Sequence, residues 1–291
     1  MVNNEYRMMR LRGFRMKWAI ATIASGALCL SGLLYTNLEK HWFIDEDYLF
    51  EHGSSLSATY LKEHAPEFAD RLEELQQWVV RIEVRHSASE DTYSSNHGTG
   101  ILLGDSQVLT AKHVLHENVT GEISKILLTQ PDGRLLNAEV GRQGTGDWTL
   151  LHILLAEDAP ALKNSPIELG NATEGETAVF FGYPVMVGLS AEGEVLPFRK
   201  GDAQKESAGS ALAPMLVVGS VLDAEAMTLA PLAGFPPVGG MSGGPVLNSK
   251  GQVIGVQVSV SKTIDNQTGR TLHYRINAVP ASAVPASAVE R

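Results

Sequence analysis

Three kinds of hydrophobic pattern succeed one another along this chain. Residues 18–35, WAIATIASGALCLSGLLY, form an uncharged and mostly apolar run. As a helix at 1.5 Å per residue it spans roughly 27 Å, enough for a bilayer core. Residues 36–77 are polar and amphipathic. Within them LSATYLKEHAPEFADRLEELQQWVV spaces its apolar residues at roughly helical intervals, and Pro66 interrupts the pattern. Such a stripe predicts a helical segment that packs on the following domain. A docking or oligomerisation element is the rival reading.

From Trp78 the period falls to two. WVVRIEVR at 78–85 alternates apolar and polar positions as a half-buried strand does. GTGILLGDSQVLTAKHVL at 98–115 predicts a hairpin turning at Gly104-Asp105. KILLTQPDGRLLNAEV at 125–140 predicts another, with Pro131-Asp132-Gly133 at its turn. ETAVFFGYP, MLVVGSVLD and GQVIGVQVSV continue the theme. Many short strands with turn signals and little helix predict paired β-barrels. The polar stretch AEDAPALKNSP at 156–166 is a natural crossover between barrels of about 78–160 and 167–279. The repeat VPASAVPASAV at 279–289 predicts a tail or a loose terminal helix over 280–291, too short for another domain.

Charge changes the picture mainly at the N-terminus. Arg7, Arg10, Arg12, Arg15 and Lys17 precede the apolar run. The positive-inside rule keeps residues 1–17 cytoplasmic and exports the chain beyond residue 35. A single-pass anchor with an extracytoplasmic domain is therefore expected. A cleaved signal peptide is the rival, but Leu33-Leu34-Tyr35 is a poor cleavage site. Removing residues 1–35 takes away those five basic residues and Glu5, which leaves 18 Lys+Arg against 32 Asp+Glu. A domain this acidic argues against nucleic-acid binding and against adhesion to an anionic membrane surface. A single cysteine, Cys29, rules out an intramolecular disulfide framework, so core packing must hold the fold.

The candidate chemistry lies in three segments, TAKHV at 110–114, DWTLL at 147–151 and GMSGGPV at 240–246. They supply His113, Asp147 and Ser242 in that order. A serine hydroxyl is a weak nucleophile and needs an adjacent base to take its proton. Histidine suits that role, and a buried aspartate holds the imidazole in the right tautomer. The oxyanion that develops needs fixed donors, expected from the backbone N–H groups of Gly240 and Ser242. The same heptapeptide also fits the G-x-S-x-G elbow of α/β-hydrolases, but there the acid and histidine follow the serine. Only 49 residues follow Ser242, with Asp265 and His273 as the only aspartate and histidine, too few for the strands and helices of that fold. Asp105 and Asp132 sit in apparent hairpin turns, where aspartate is common for structural reasons, and Asp158 is a third rival to Asp147. His113-x-x-His116 lacks the HExxH pattern and further acidic ligands, so no metal or other cofactor is expected. His86, His97, His152 and His273 are expected to be structural or solvent-facing.

Together these segments resemble the trypsin-like serine proteases, closest to the bacterial Deg (high-temperature-requirement) branch, over roughly residues 78–278. GTGILLGDSQVLTAKHVL resembles the segment around that family's catalytic histidine. DGRLLNAEVGRQGTGDWTLLHI resembles the segment around its aspartate, and GGMSGGPVLNSKGQVIGV the nucleophile segment and the strand after it. The resemblance implies an all-β, chymotrypsin-like fold of two six-stranded antiparallel β-barrels, here preceded by a transmembrane helix and a juxtamembrane helical segment. It implies a serine endopeptidase acting through an acyl-enzyme on protein or peptide substrates, with homo-oligomers as found in that branch. Val256, Gln257 and Val258 then line the substrate, with Pro236 to Val238 opposite, and the absence of an acid in either stretch predicts a small or aliphatic side chain at the cleaved position. Met241 stands where relatives carry Asp or Asn, which argues against a zymogen switch. Trp148 and Thr149 replace small apolar residues, and the loop at about 185–216 has no match. A C-terminal PDZ domain, frequent in that branch, is not expected. A catalytically silent barrel that only binds is the alternative function.

Overall fold

The computed structural model describes residues 57–87, 93–104, 106–116, 121–155, 165–184, 188–189, 195–196, 214–234, 239–268 and 271–289. The basic stretch 1–17, the apolar run 18–35 and the neighbouring residues to 56 lie outside these. So do the crossover residues 156–164 and most of the 185–216 loop. No helix among the described residues is long and apolar enough to cross a membrane.

The period-two segments form twelve strands in two closed six-stranded barrels, as the alternation predicts. The first barrel contains β1 (Val79–Ser87), β2 (Tyr93–Leu103), β3 (Gln107–Thr110), β4 (Ile123–Thr129), β5 (Leu135–Gln143) and β6 (Thr149–Leu154). Its order is β1-β2-β3-β6-β5-β4, and antiparallel pairing of β4 with β1 closes it. After β7 (Thr177–Gly182) comes a two-stranded ribbon, β8 (Gly188–Leu189) with β9 (Val195–Leu196). The second barrel joins β7 to β10 (Met215–Asp223), β11 (Thr228–Gly234), β12 (Pro245–Leu247), β13 (Val253–Ile264) and β14 (Thr271–Pro280). Its order is β10-β11-β14-β13-β12-β7.

Strand β1 shows how the pattern drives the fold. Val80, Ile82, Val84 and His86 are buried, while Arg81, Glu83 and Arg85 face outward between them. His86 thus continues the core-facing row, with its Nδ1 3.4 Å from the Gly121 carbonyl. The expected hairpins form at the expected turns. β2 pairs β3 and β4 pairs β5, and Gly104 and Gly133 supply the left-handed backbone, with φ of 63° and 83°.

Two terminal segments are tied into this core. A helix at 57–64 stops at Ala65, and a new helical turn starts at Pro66, whose missing N–H costs nothing at that position. A further turn covers Leu72–Gln76. Leu61, Phe68 and Leu75 recur every seven residues and are fully buried in the main core cluster. The Ser57 hydroxyl donates to the Leu216 carbonyl at 2.9 Å, and the Arg71 guanidinium to the Lys250 carbonyl at 2.7 Å. At the other end, the residues expected as a tail or a loose terminal helix form short 3-10 turns at Ala281–Ala283 and Ala286–Ala288. Ala281, Val284 and Ala288 enter the same core cluster, and the Gln107 amide donates to the Ala288 carbonyl at 3.3 Å. Small side chains at a proline-set spacing suit a groove between elements, which the repeat alone does not reveal.

Candidate active site

His113 sits on a 3-10 turn, Lys112–Leu115, directly after β3. Val114 and Leu115 plunge into the first-barrel core and leave the His113 side chain only 21% exposed. Asp147 lies on the loop that leads into β6. Its carboxylate accepts twice from the same residue, at 2.9 Å from the His113 backbone N–H and at 2.7 Å from the ring Nδ1. An ionised carboxylate only accepts, so the proton must reside on Nδ1, which leaves Nε2 as the basic nitrogen. Partial burial works to raise the Asp147 pKa. The hydrogen bonds from His113, with its charge and a further bond from the Lys112 backbone, outweigh burial and hold the carboxyl below its ordinary range. Asp132 caps its own turn by accepting from the Arg134 N–H at 2.9 Å, while Asp105 and Asp158 lie outside the described residues.

Trp148, unexpected after the aspartate, is accommodated by Gly144. The indole lies where a Cβ at Gly144 would have to be, so only glycine lets the loop fold over the ring. Trp148 is thereby buried, and its burial pins the residue next to Asp147.

The serine loop, 239–244, descends onto β2 from the second barrel. Gly240 and Gly243 adopt φ of 86° and 85°. The Ser242 carbonyl accepts from the Thr99 N–H at 2.8 Å, and the Gly240 carbonyl accepts from the Thr99 hydroxyl at 2.9 Å. A Cβ at Gly98 would lie 2.5 Å from Cγ1 of Val114, next to His113, and 3.1 Å from the Ser242 carbonyl oxygen. One strand position without a side chain thus lets the histidine turn and the serine loop close on the same edge of β2. Among the described residues, no carbonyl accepts from the N–H of Gly240 or of Ser242. The loop is bounded by Gly244, whose N–H donates to the Met241 carbonyl at 3.0 Å.

Met241 is fully buried in the second-barrel core cluster with Phe180, Val246 and Ile254. A Cβ at Gly182 would come within 2.7 Å of the Met241 Cβ, so β7 receives the side chain at a glycine. Apolar burial anchors the loop. Met241→Leu should cost less than about 1.5 kcal/mol, because it preserves volume. Met241→Asp should cost about 3 kcal/mol or more, because it buries a carboxylate without a partner. Urea unfolding of both variants checks the difference.

Val256 and Gln257 are buried on β13 beside this loop, and Val258 is half-buried. The Gln257 backbone donates to the Gly244 carbonyl at 2.9 Å and accepts from the Gly243 N–H at 2.8 Å. Gln257 is 2% exposed, and among the described residues its Oε1 has no hydrogen-bond partner. Pro236 to Val238 lie outside the described residues. Among the described residues, no group of three His, Cys, Asp or Glu side chains is arranged to hold a metal ion. Thr99 is the residue that the motif reading missed. It stands inside the quoted GTG, yet nothing in that triplet reveals which loop its hydroxyl meets.

Two closed six-stranded antiparallel barrels, with a histidine-carboxylate pair on one and a glycine-flanked serine loop on the other, define a chymotrypsin-like architecture. The family model of the trypsin-like peptidase domain matches residues 98–256, more than half of the chain, and the chain belongs to that family. No curated protein matches it.

Proposed function

We propose that this protein is a membrane-anchored serine endopeptidase in which His113, Asp147 and Ser242 act as a catalytic triad. The observation that carries the reading is the double hydrogen bond from His113 to Asp147, on the same β2 edge that receives the Ser242 loop. In this reading Ser242 Oγ attacks the scissile carbonyl while His113 Nε2 takes its proton. The N–H groups of Gly240 and Ser242 hold the oxyanion. The His113 imidazolium then protonates the leaving amine, and water hydrolyses the acyl-enzyme by the same route in reverse.

The Deg-like branch is supported by the sequence around the three residues, without carrying over substrate capture by a PDZ domain. Val256, Gln257 and Val258 form the substrate wall in this proposal, with a small or aliphatic side chain preferred at the cleaved position. Homo-oligomerisation is part of the same resemblance. Anchoring rests on residues 18–35 and their basic flank, and directs the catalytic domain to the extracytoplasmic side. The full chain should accordingly stay with membranes through alkaline carbonate washing. Release of a shortened, soluble chain would support signal cleavage instead.

Fluorophosphonate labelling of the full chain in detergent, beside His113→Ala, tests the catalytic reading. Labelling of the parent that His113→Ala abolishes is expected. A folded parent that takes no label would favour a silent binding barrel.

A further inference from the structure

One residue of the other barrel holds two backbone carbonyls of the serine loop, those of Gly240 and Ser242. The Thr99 hydroxyl donates to the Gly240 carbonyl at 2.9 Å, and the Thr99 N–H donates to the Ser242 carbonyl at 2.8 Å. Thr99 is itself fixed on its remaining sides. Its Oγ1 accepts from the Tyr183 N–H at 2.8 Å, and its carbonyl accepts from the Thr110 hydroxyl at 2.6 Å. Thr110 ends the strand that leads to the His113 turn, and Tyr183 directly follows β7. Thr99 is 0% exposed, so water does not compete for these bonds.

A peptide unit is planar, so holding the Gly240 and Ser242 carbonyls fixes the N–H directions of Met241 and Gly243 and clamps the two peptide units on either side of the Met241–Ser242 unit, which carries the Ser242 N–H. Gly240 lacks a Cβ, and its φ of 86° is one of several conformations open to glycine. Nothing in Gly240 itself prevents the loop from turning its carbonyl to where its N–H should face. The apolar anchor at Met241 holds the side chain of the next residue but makes no hydrogen bond to that carbonyl.

We propose that Thr99 is the positioning residue of the oxyanion-binding turn. Its hydroxyl holds the Gly240–Met241 peptide unit against β2, and because that unit lies between the units that carry the Gly240 and Ser242 N–H groups, both donors keep their place in the turn. The proposal rests on the serine-nucleophile reading above. Because the Thr99 N–H is kept by valine, cysteine and serine, removing the hydroxyl takes away its bonds to the Gly240 carbonyl and from the Tyr183 N–H and leaves the bond to Ser242. The effect therefore falls on the rate of the chemical step rather than on binding.

The test uses the full chain in detergent as parent, Thr99→Val, Thr99→Cys and Thr99→Ser. Each is reacted with a fluorophosphonate probe over a range of concentrations. Ser242 Oγ bonds to phosphorus, fluoride leaves, and the hydroxyl proton passes to His113, while the phosphoryl oxygen occupies the oxyanion position. The maximal labelling rate of Thr99→Val should fall about 10- to 100-fold, with half-saturating probe concentration changed by less than about twofold. Thr99→Ser should restore the rate to within about threefold, and Thr99→Cys, a weaker donor, should fall between them. Thermal unfolding identifies which variants are folded. A folded Thr99→Val that labels at the parental rate overturns the proposal. If Thr99→Val does not fold, a Thr99→Cys rate equal to that of Thr99→Ser overturns it. A parent that takes no label overturns the nucleophile reading itself, which separates that failure from a failure of Thr99.

Discussion

Ser242→Ala is expected to lower turnover of a fluorescent unfolded protein such as casein by about 10⁶-fold, and to abolish fluorophosphonate labelling. The residual rate comes from donors that bind the carbonyl whether or not a nucleophile is present. The fold should survive, because the bond that Ser242 makes to β2 uses its backbone carbonyl, which alanine keeps. The left-handed turns on either side belong to Gly240 and Gly243, which the substitution does not touch. Thermal unfolding of the variant should therefore match the parent, and activity lost alongside stability would not count as support. Undiminished cleavage by the folded variant sinks the assignment of Ser242.

Asp147→Asn is expected to lower turnover by about 10⁴-fold. The carboxylate accepts from both the backbone N–H and the Nδ1–H of His113. An amide can accept through its oxygen alone, and its NH2 beside Nδ1 favours the tautomer that carries the proton on Nε2, where it is no base. The variant also changes acid stability. The Asp147 carboxyl is held below its ordinary range in the folded state, so the native protein binds fewer protons there than the unfolded chain. Its contribution is fully present above the unfolded carboxyl pKa of about 3.9 and is lost as pH falls through the depressed folded value. Melting temperatures of parent and variant should differ by a constant amount above about pH 5 and converge in stronger acid. A difference that fails to shrink as pH falls below about 4 would mean that His113 does not stabilise the ionised carboxylate.

Much of this was legible one segment at a time. Alternation at 78–85 and the Pro131-Asp132-Gly133 turn signal local preferences that act over a few residues, so the strands and hairpins could be read off. The order His113, Asp147, Ser242, with glycines around the serine, excluded the hydrolase elbow without any coordinates. The places where reading stopped depend on how the folded chain packs. The small residues of 281–289 look like a tail or a loose helix until the core cluster that buries Val284 and Ala288 is present. Trp148 looks misplaced beside the aspartate until Gly144 is folded beneath it. Gln257 carries a buried carbonyl oxygen without a partner among the described residues, and its place among apolar neighbours on β13 gives no hint of this.

By itself the sequence determined the barrel class, the residues suited to nucleophilic catalysis and their order, because residue chemistry and short-range periodicity are written in adjacent positions. The tertiary structure alone decided that Asp147 is the carboxylate paired with His113 and that Met241 anchors the serine loop by burial. It alone decided that Thr99, far before Ser242 in the chain, grips that loop. All three join segments far apart in the chain, the last of them across two separately closed barrels. Their geometry depends on which glycines let two backbones approach, and that is fixed only once both barrels have formed.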